Sequence, residues 1–151
     1  MKLRKAKLKD VEAIHAIVNG FAEDGQMLAR ARNVLYETLR DMTVAEEDGK
    51  IVGVGALHVT WDELAEVRTL AVDKAYLRKH IGTEIVKRLI EEAKELGVKT
   101  VFTLTYRADF VSTLGFVETS KDSLHHKVWK DCINCPKFPN CDETAMTLKV
   151  E

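Results

Sequence analysis

Three groups of residues in this 151-residue chain have the types and spacing to do chemistry. The first is Leu77-Arg78-Lys79-His80-Ile81-Gly82-Thr83, two cations and a glycine directly ahead of an apolar-periodic stretch. If that stretch is a helix, its first amides have no intrahelical acceptor and its dipole adds partial positive charge, so a phosphate or diphosphate could dock there, with Arg78 and Lys79 adding whole charges. A solvated loop before an ordinary helix uses the same residues. The second group is Arg30, Arg68 and Arg107. A guanidinium donates two parallel hydrogen bonds to a carboxylate, and a ligand with two carboxylates needs two or more such forks. Arg32, by contrast, reads as a solvated helix residue. The third group is Cys132, Cys135 and Cys141, spaced C-x2-C-x5-C and preceded by His125 and His126. Three thiolates and an imidazole could complete a tetrahedral structural zinc site, while a reduced packed loop or a redox pair needs no metal. His15 and His58 have no evident partner in sequence and read as packing residues.

The elements that must position these groups follow from periodicity. Residues 3–6 suit a short strand, and residues 9–19 a helix with Val11, Ile14, Ile17 and Val18 at helical spacing and Gly20 at its end. A second helix is predicted over 26–40, with Arg30 and Arg32 on its polar side. Strands over 42–47 and 51–60 are joined through Asp48-Gly49, a hairpin turn signal, and a third strand over 64–72 carries Glu66, Arg68, Leu70, Ala71 and Val72. Residues 82–96 switch to a helical period with Gly97 as the stop, and 98–105 return to strand character just ahead of Tyr106 and Arg107. A short helix over 108–114, a strand at Gly115-Phe116-Val117-Glu118 and a last strand over 144–150 complete the order. Strand, helix and strand through 82–96 imply a parallel crossover and the hairpin implies antiparallel pairing, so an α/β arrangement with one mixed central sheet is expected.

The run Val67-Arg68-Thr69-Leu70-Ala71-Val72-Asp73, then Tyr76 to Gly82, then a helix, a strand and Leu114-Gly115-Phe116, resembles the core of the GNAT N-acetyltransferases along nearly the whole chain. The resemblance implies a GNAT fold, a central mixed and mostly antiparallel sheet with helices on both faces, and acetyl-CoA as cosubstrate. It assigns residues 77–83 to the CoA diphosphate, although Leu77 stands where Gln or Arg is usual and His80 where the first glycine is usual. Leu70 and Val72 would pair with the pantetheine amides as an added strand does, and a backbone amide near Leu70 would hold the oxyanion. Glu66 stands where the family's glutamate removes the amine proton. Val111 occupies the position of the tyrosine acid common in the family, so late protonation of the thiolate falls to water, Ser112 or Tyr106.

A narrower resemblance, carried by residues 25–32, Gly55-Ala56-Leu57-His58-Val59, 65–72 and Leu104-Thr105-Tyr106-Arg107, is to the short, kinase-free N-acetylglutamate synthases. It implies acetylation of the α-amine of L-glutamate, the first step of arginine biosynthesis, with Arg30, Arg68 and Arg107 seating the carboxylates. Another small amine, a protein N-terminus, or a non-catalytic acyl-CoA sensor are the alternatives.

The bulk numbers set limits. A 46% hydrophobic content suits one domain over 1–151, with a cysteine-containing loop at about 125–142. With 23 basic and 24 acidic residues the formal charge is −1, which leaves no field to hold nucleic acid or an anionic membrane. No signal-peptide-like or membrane-spanning run is evident, and three cysteines cannot form a complete disulfide framework, so a cytoplasmic protein is expected, with a homodimer left open.

Overall fold

The run of residues 64–72, with Val67, Thr69 and Val72 favouring extended backbone, and a near-continuous apolar run over 51–57 produce the two long central strands of the computed structural model, which describes residues 1–23, 30–77, 79–120 and 144–150. The strands among the described residues are β1 (Lys2–Lys5), β2 (Met42–Glu47), β3 (Lys50–Trp61), β4 (Leu64–Val72), β5 (Thr100–Thr105), β6 (Val117–Glu118) and β7 (Thr144–Lys149). The helices are α1 (Val11–Glu23), α2 (Arg32–Glu37), α3 (Ile81–Leu96) and α4 (Ala108–Ser112). The strands form one sheet in the order β1-β2-β3-β4-β5-β7-β6, antiparallel throughout except for β4 beside β5. The one parallel pair is the one joined through α3, as the crossover argument requires. Asp48 (φ 51°) and Gly49 (φ 80°) both sit at positive φ between β2 and β3, the turn that matches the twist of two paired strands.

Two apolar layers sandwich the sheet. On one face α3 buries Ile81, Ile85, Val86, Leu89 and Ala93. It lies so close to β3 that a Cβ added at Gly55 would stand 2.6 Å from Ile85 Cγ2. On the other face α1 buries Val11, Ile14 and Val18 against Leu35, Val44, Val54 and Ala56. Each such side chain contributes roughly 1.5–3 kcal/mol on leaving water. The start of α1 is tied to β1 by Arg4, which forks Asp10 at 2.7 and 3.0 Å and reaches Glu46 at 2.9 Å, while the Lys7 amide donates to Asp10 at 2.7 Å. Asp10 is only 4% exposed, and the Arg4 guanidinium holds its carboxyl below the usual carboxylate range. No described helix is long and apolar enough to cross a membrane.

Two expectations are corrected. The first helix does not stop at Gly20 but runs to Glu23, because its buried face determines it and an interior glycine costs only about 1 kcal/mol. The second helix is shorter than 26–40. Ala31 is extended (φ −74°, ψ 156°), so α2 starts at Arg32, and Thr38 ends it with its hydroxyl donating back to the Val34 carbonyl at 2.8 Å. Arg30 therefore lies on the connection ahead of α2 rather than in a helix. Residues 26–29, Arg78, and the segment holding Cys132, Cys135 and Cys141 lie outside the described residues.

Candidate active site

The sheet parts in the middle. Leu64, Ala65 and Glu66 pair with Thr100, Val101 and Phe102, and there the β4–β5 ladder ends. At the next step the Thr103 hydroxyl donates to the Val67 carbonyl at 2.8 Å, in place of a ladder partner. Beyond this point β5 continues beside β7, while β4 stays with β3 as far as Val72 opposite Gly53. The β5-facing backbone edge of residues 68–72 is thus outside any described ladder, and an extended ligand could bond to it as an added strand.

Thr69 marks the same point. Its φ is 59°, in the left-handed region, at a strain of order 1–2 kcal/mol for a β-branched residue. The β3–β4 register slips here, from Ala56 opposite Arg68 to Val54 opposite Ala71, so β4 carries one extra residue, a bulge. The extra residue reverses the alternation. Ala65 and Val67 pack into the α3 layer, and so do Leu70 and Val72, while Ala71 joins the α1 layer. Glu66 and Arg68, ahead of the bulge, take the α1 face.

At the far end of β4 stands the start of α3. Its N-cap is His80 at φ 60°, ψ 21°, with no side-chain cap bond. Histidine thus adopts the conformation expected of the glycine it replaces. The Glu84 amide donates to the His80 carbonyl at 3.1 Å, which leaves the amides of Ile81, Gly82 and Thr83 without a helical acceptor. Ile81 anchors the turn in the core, and a Cβ at Gly82 would meet Phe110 Cζ at 3.4 Å and Val72 Cγ2 at 3.8 Å. Leu77 is exposed. Lys79 Nζ lies 5.3 Å from the centre of the Tyr76 ring and Lys50 Nζ 5.5 Å, with Lys50 also 3.6 Å from Asp73. Lys50 is a cation beside this loop that spacing did not reveal, because the β3–β4 register brings it there. The arrangement can hold an anion through N–H donors and added positive charge.

The α1 face collects a different set. Glu66 is 17% exposed and Arg68 11%, with Arg68 Nη1 3.9 Å from Glu66 Oε1. A glutamate so shielded, with a guanidinium 3.9 Å away, can act as a general base. Directly across β3 from Glu66 is His58, whose Nδ1 lies 2.7 Å from Asp41 Oδ2. His58 therefore has a partner after all, 17 residues away in sequence. Arg30 is fixed at its backbone by Asn19 of α1: its amide donates to Asn19 Oδ1, and Asn19 Nδ2 donates to its carbonyl, each at 3.2 Å. Arg32 forks Glu12 in the open, an exposed pair that links α2 to α1 and contributes little. Tyr106 is half-buried just past β5, and the exposed Arg107 has its Nε 3.5 Å from Asp109. Val111 is core, consistent with its holding no acid. Among the described residues no cluster of His, Cys, Asp and Glu could hold a metal, and the cysteines are not among them.

Comparison with known proteins agrees with this geometry. The profile of the Acetyltransferase (GNAT) family matches residues 12–118. An uncharacterized N-acetyltransferase of Chlorobaculum tepidum is 39% identical over 144 residues, 95% of this chain and 93% of that one. An amino-acid acetyltransferase of Mycobacterium tuberculosis is 42% identical over 120 residues, 77% of this chain and 68% of the relative, whereas this chain spans only 29% of a Pseudomonas aeruginosa protein of the same description. Among solved structures, Rv2747 of Mycobacterium tuberculosis in complex with CoA superposes with a TM-score of 0.89 at 33% identity, each chain fully covered. N-acetylglutamate synthase of Neisseria gonorrhoeae, complexed with coenzyme A and N-acetyl-glutamate, shares the fold at a TM-score of 0.91 and 22% identity, with 99% of this chain and 35% of that one covered. A parted sheet, a bulged central strand and an uncapped helix start, on a sequence matched over 12–118, place the chain in the GNAT family of acetyl-CoA-dependent acetyltransferases.

Proposed function

We propose that the chain transfers the acetyl group of acetyl-CoA to the α-amine of an amino acid, with L-glutamate as the preferred acceptor, and so acts at the first step of arginine biosynthesis. The observation that carries the reading is the shielded Glu66–Arg68 pair on the α1 face, immediately before the point where β4 leaves β5. Relatives described as amino-acid acetyltransferases support it.

The diphosphate of the donor docks on the amides of Ile81, Gly82 and Thr83, with Lys79 and Arg78 adding charge, and with Leu77 and His80 shaping the loop. The pantetheine lies along the open edge of Leu70, Ala71 and Val72. The acceptor's carboxylates are drawn to Arg30, Arg68 and Arg107, since a planar fork suits a carboxylate better than a lysine does. Glu66 removes one proton from the ammonium, and the neutral nitrogen adds to the thioester carbonyl. An amide of the same strand holds the oxyanion, the C–S bond breaks as the adduct nitrogen gives up its second proton, and the CoA thiolate leaves, taking up that proton by way of water or Tyr106. A thiol pKa near 8.5 makes that leaving group tolerable, so a proton arriving late from water or Tyr106 suffices.

The test is a thiol-release assay with acetyl-CoA and the common amino acids. Glutamate is expected to turn over fastest, and Glu66→Gln to lower kcat by about 100-fold or more with KM for acetyl-CoA little changed. A faster reaction with another amine would replace glutamate while keeping the reaction class. Transfer to no amine, with CoA still bound, would leave a sensor instead.

A further inference from the structure

His58 has no part in the scheme above, yet its surroundings are not those of a packing histidine. Asp41 ends the 3-10 turn Leu39–Asp41, one residue before β2, and its carboxylate reaches His58 of β3 from that turn rather than from a paired strand position. The 2.7 Å contact between His58 Nδ1 and Asp41 Oδ2 fixes the tautomer. An ionised carboxylate only accepts, so Nδ1 carries the hydrogen and the lone pair of the neutral ring is on Nε2. Glu66 is the cross-strand partner of His58, and directly opposed residues of an antiparallel pair share a face with Cβ atoms about 4.5–5.5 Å apart.

We propose that His58, held by Asp41, is a positioning residue for Glu66 and the next acceptor of the proton that Glu66 takes from the amine. The inference rests on the acyl-transfer reading of this face. The group that first takes the proton is a carboxylate, with Arg68 Nη1 3.9 Å away. An imidazole is the stronger base of the two in water. The sequence is one proton moving in steps: from the ammonium nitrogen to a Glu66 oxygen, from that oxygen to His58 Nε2, and from the imidazolium to water. Asp41 stabilises the imidazolium while it exists, as the aspartate of a catalytic triad does. His58 and Asp41 are 36% and 29% exposed against 17% for Glu66, so the imidazole gives the proton a wider route to solvent.

The experiment compares wild type, His58→Gln, His58→Gly, Asp41→Asn and Glu66→Gln in the thiol-release assay with the best acceptor of the amino-acid panel. Circular dichroism melts check that each is folded. His58→Gln is expected to lose about 10–100-fold in kcat while KM for acetyl-CoA stays within about twofold, and Asp41→Asn to lose about 10-fold. Free imidazole should restore part of the rate of folded His58→Gly and none of that of Glu66→Gln. A folded His58→Gln with wild-type kcat overturns the proposal, and so does a rate loss in His58→Gly that imidazole leaves untouched. Wild type that transfers acetyl to no amine removes the function reading and this inference with it, whereas full turnover with an indifferent His58 removes this inference alone.

Discussion

Replacing Gly55 with alanine tests the packing that aims α3. The added Cβ would lie 2.6 Å from Ile85 Cγ2, 3.2 Å from Leu89 Cδ1 and 3.3 Å from Leu70 Cδ1. Carbon atoms pack best at about 3.5–4.0 Å, so the worst contact is short by about 1 Å. Ile85 and Leu89 are fully buried and cannot swing into solvent, so the helix must lift or the strand must bend. Overpacking of this kind costs about 1–3 kcal/mol. The stiffer unfolded chain of the alanine variant offsets about 0.4–1 kcal/mol of it. A net loss of about 1–2 kcal/mol corresponds to a Tm lower by about 2–8 °C for a domain of this size. On the proposed reading, in which CoA lies along the Leu70 edge and the α3 amides and the acceptor on the opposite face, KM for acetyl-CoA should rise several-fold while KM for the acceptor holds. Thermal melts and thiol-release kinetics read both quantities. Gly20→Ala is the control: nothing lies within 4 Å of its Cβ position, it is inside α1, and the change should raise stability by about 0.5–1 kcal/mol. A Gly55→Ala protein that melts at or above wild type would refute the reasoning.

His80→Gly should leave stability unchanged or slightly raised, whereas His80→Val should lower it by about 1–2 kcal/mol in urea titrations, because a β-branched residue resists the left-handed N-cap at φ 60°. Asp10→Asn should destabilise the fold by about 2–3 kcal/mol at pH 7, toward the low end for a buried pair because Arg4 keeps some solvent contact. The sign follows from the depressed carboxyl: its contribution is present above the unfolded carboxylate pKa near 4 and is lost as pH falls through the lower folded value. Melts across pH 2–7 should therefore show wild type and Asp10→Asn converging in acid; a constant gap would contradict the pairing.

Local pattern made most of the fold readable. The strand run over 64–72, the helical period of 82–96 and the Asp48-Gly49 turn each encode an element within a few residues, and the structure places them within a residue or two. What escaped depends on register. Nothing about threonine advertises a left-handed conformation, so the bulge at Thr69 and the face it assigns to Glu66 could not be read from the chain. His58 and Asp41 meet only because the turn ahead of β2 folds back beside β3, and Lys50 reaches Tyr76 only because β3 begins where β4 ends. Gly20 and the 26–40 helix were misjudged for a related reason: burial carries α1 through a weak residue, while α2 starts where the backbone at Ala31 turns extended.

The odd residue in β4 makes one strand serve as a wall between two rooms. Upstream of Thr69 the side chains of Glu66 and Arg68 belong to the compartment under α1, and downstream those of Leu70 and Val72 belong to the compartment under α3. Under the proposed function, substitutions at 66 and 68 would remodel which amine is received without disturbing the grip on the thioester's carrier. Selection can retune the guest while the donor's berth stays as it was, and a lineage built on this strand can diversify by changing only one of its halves.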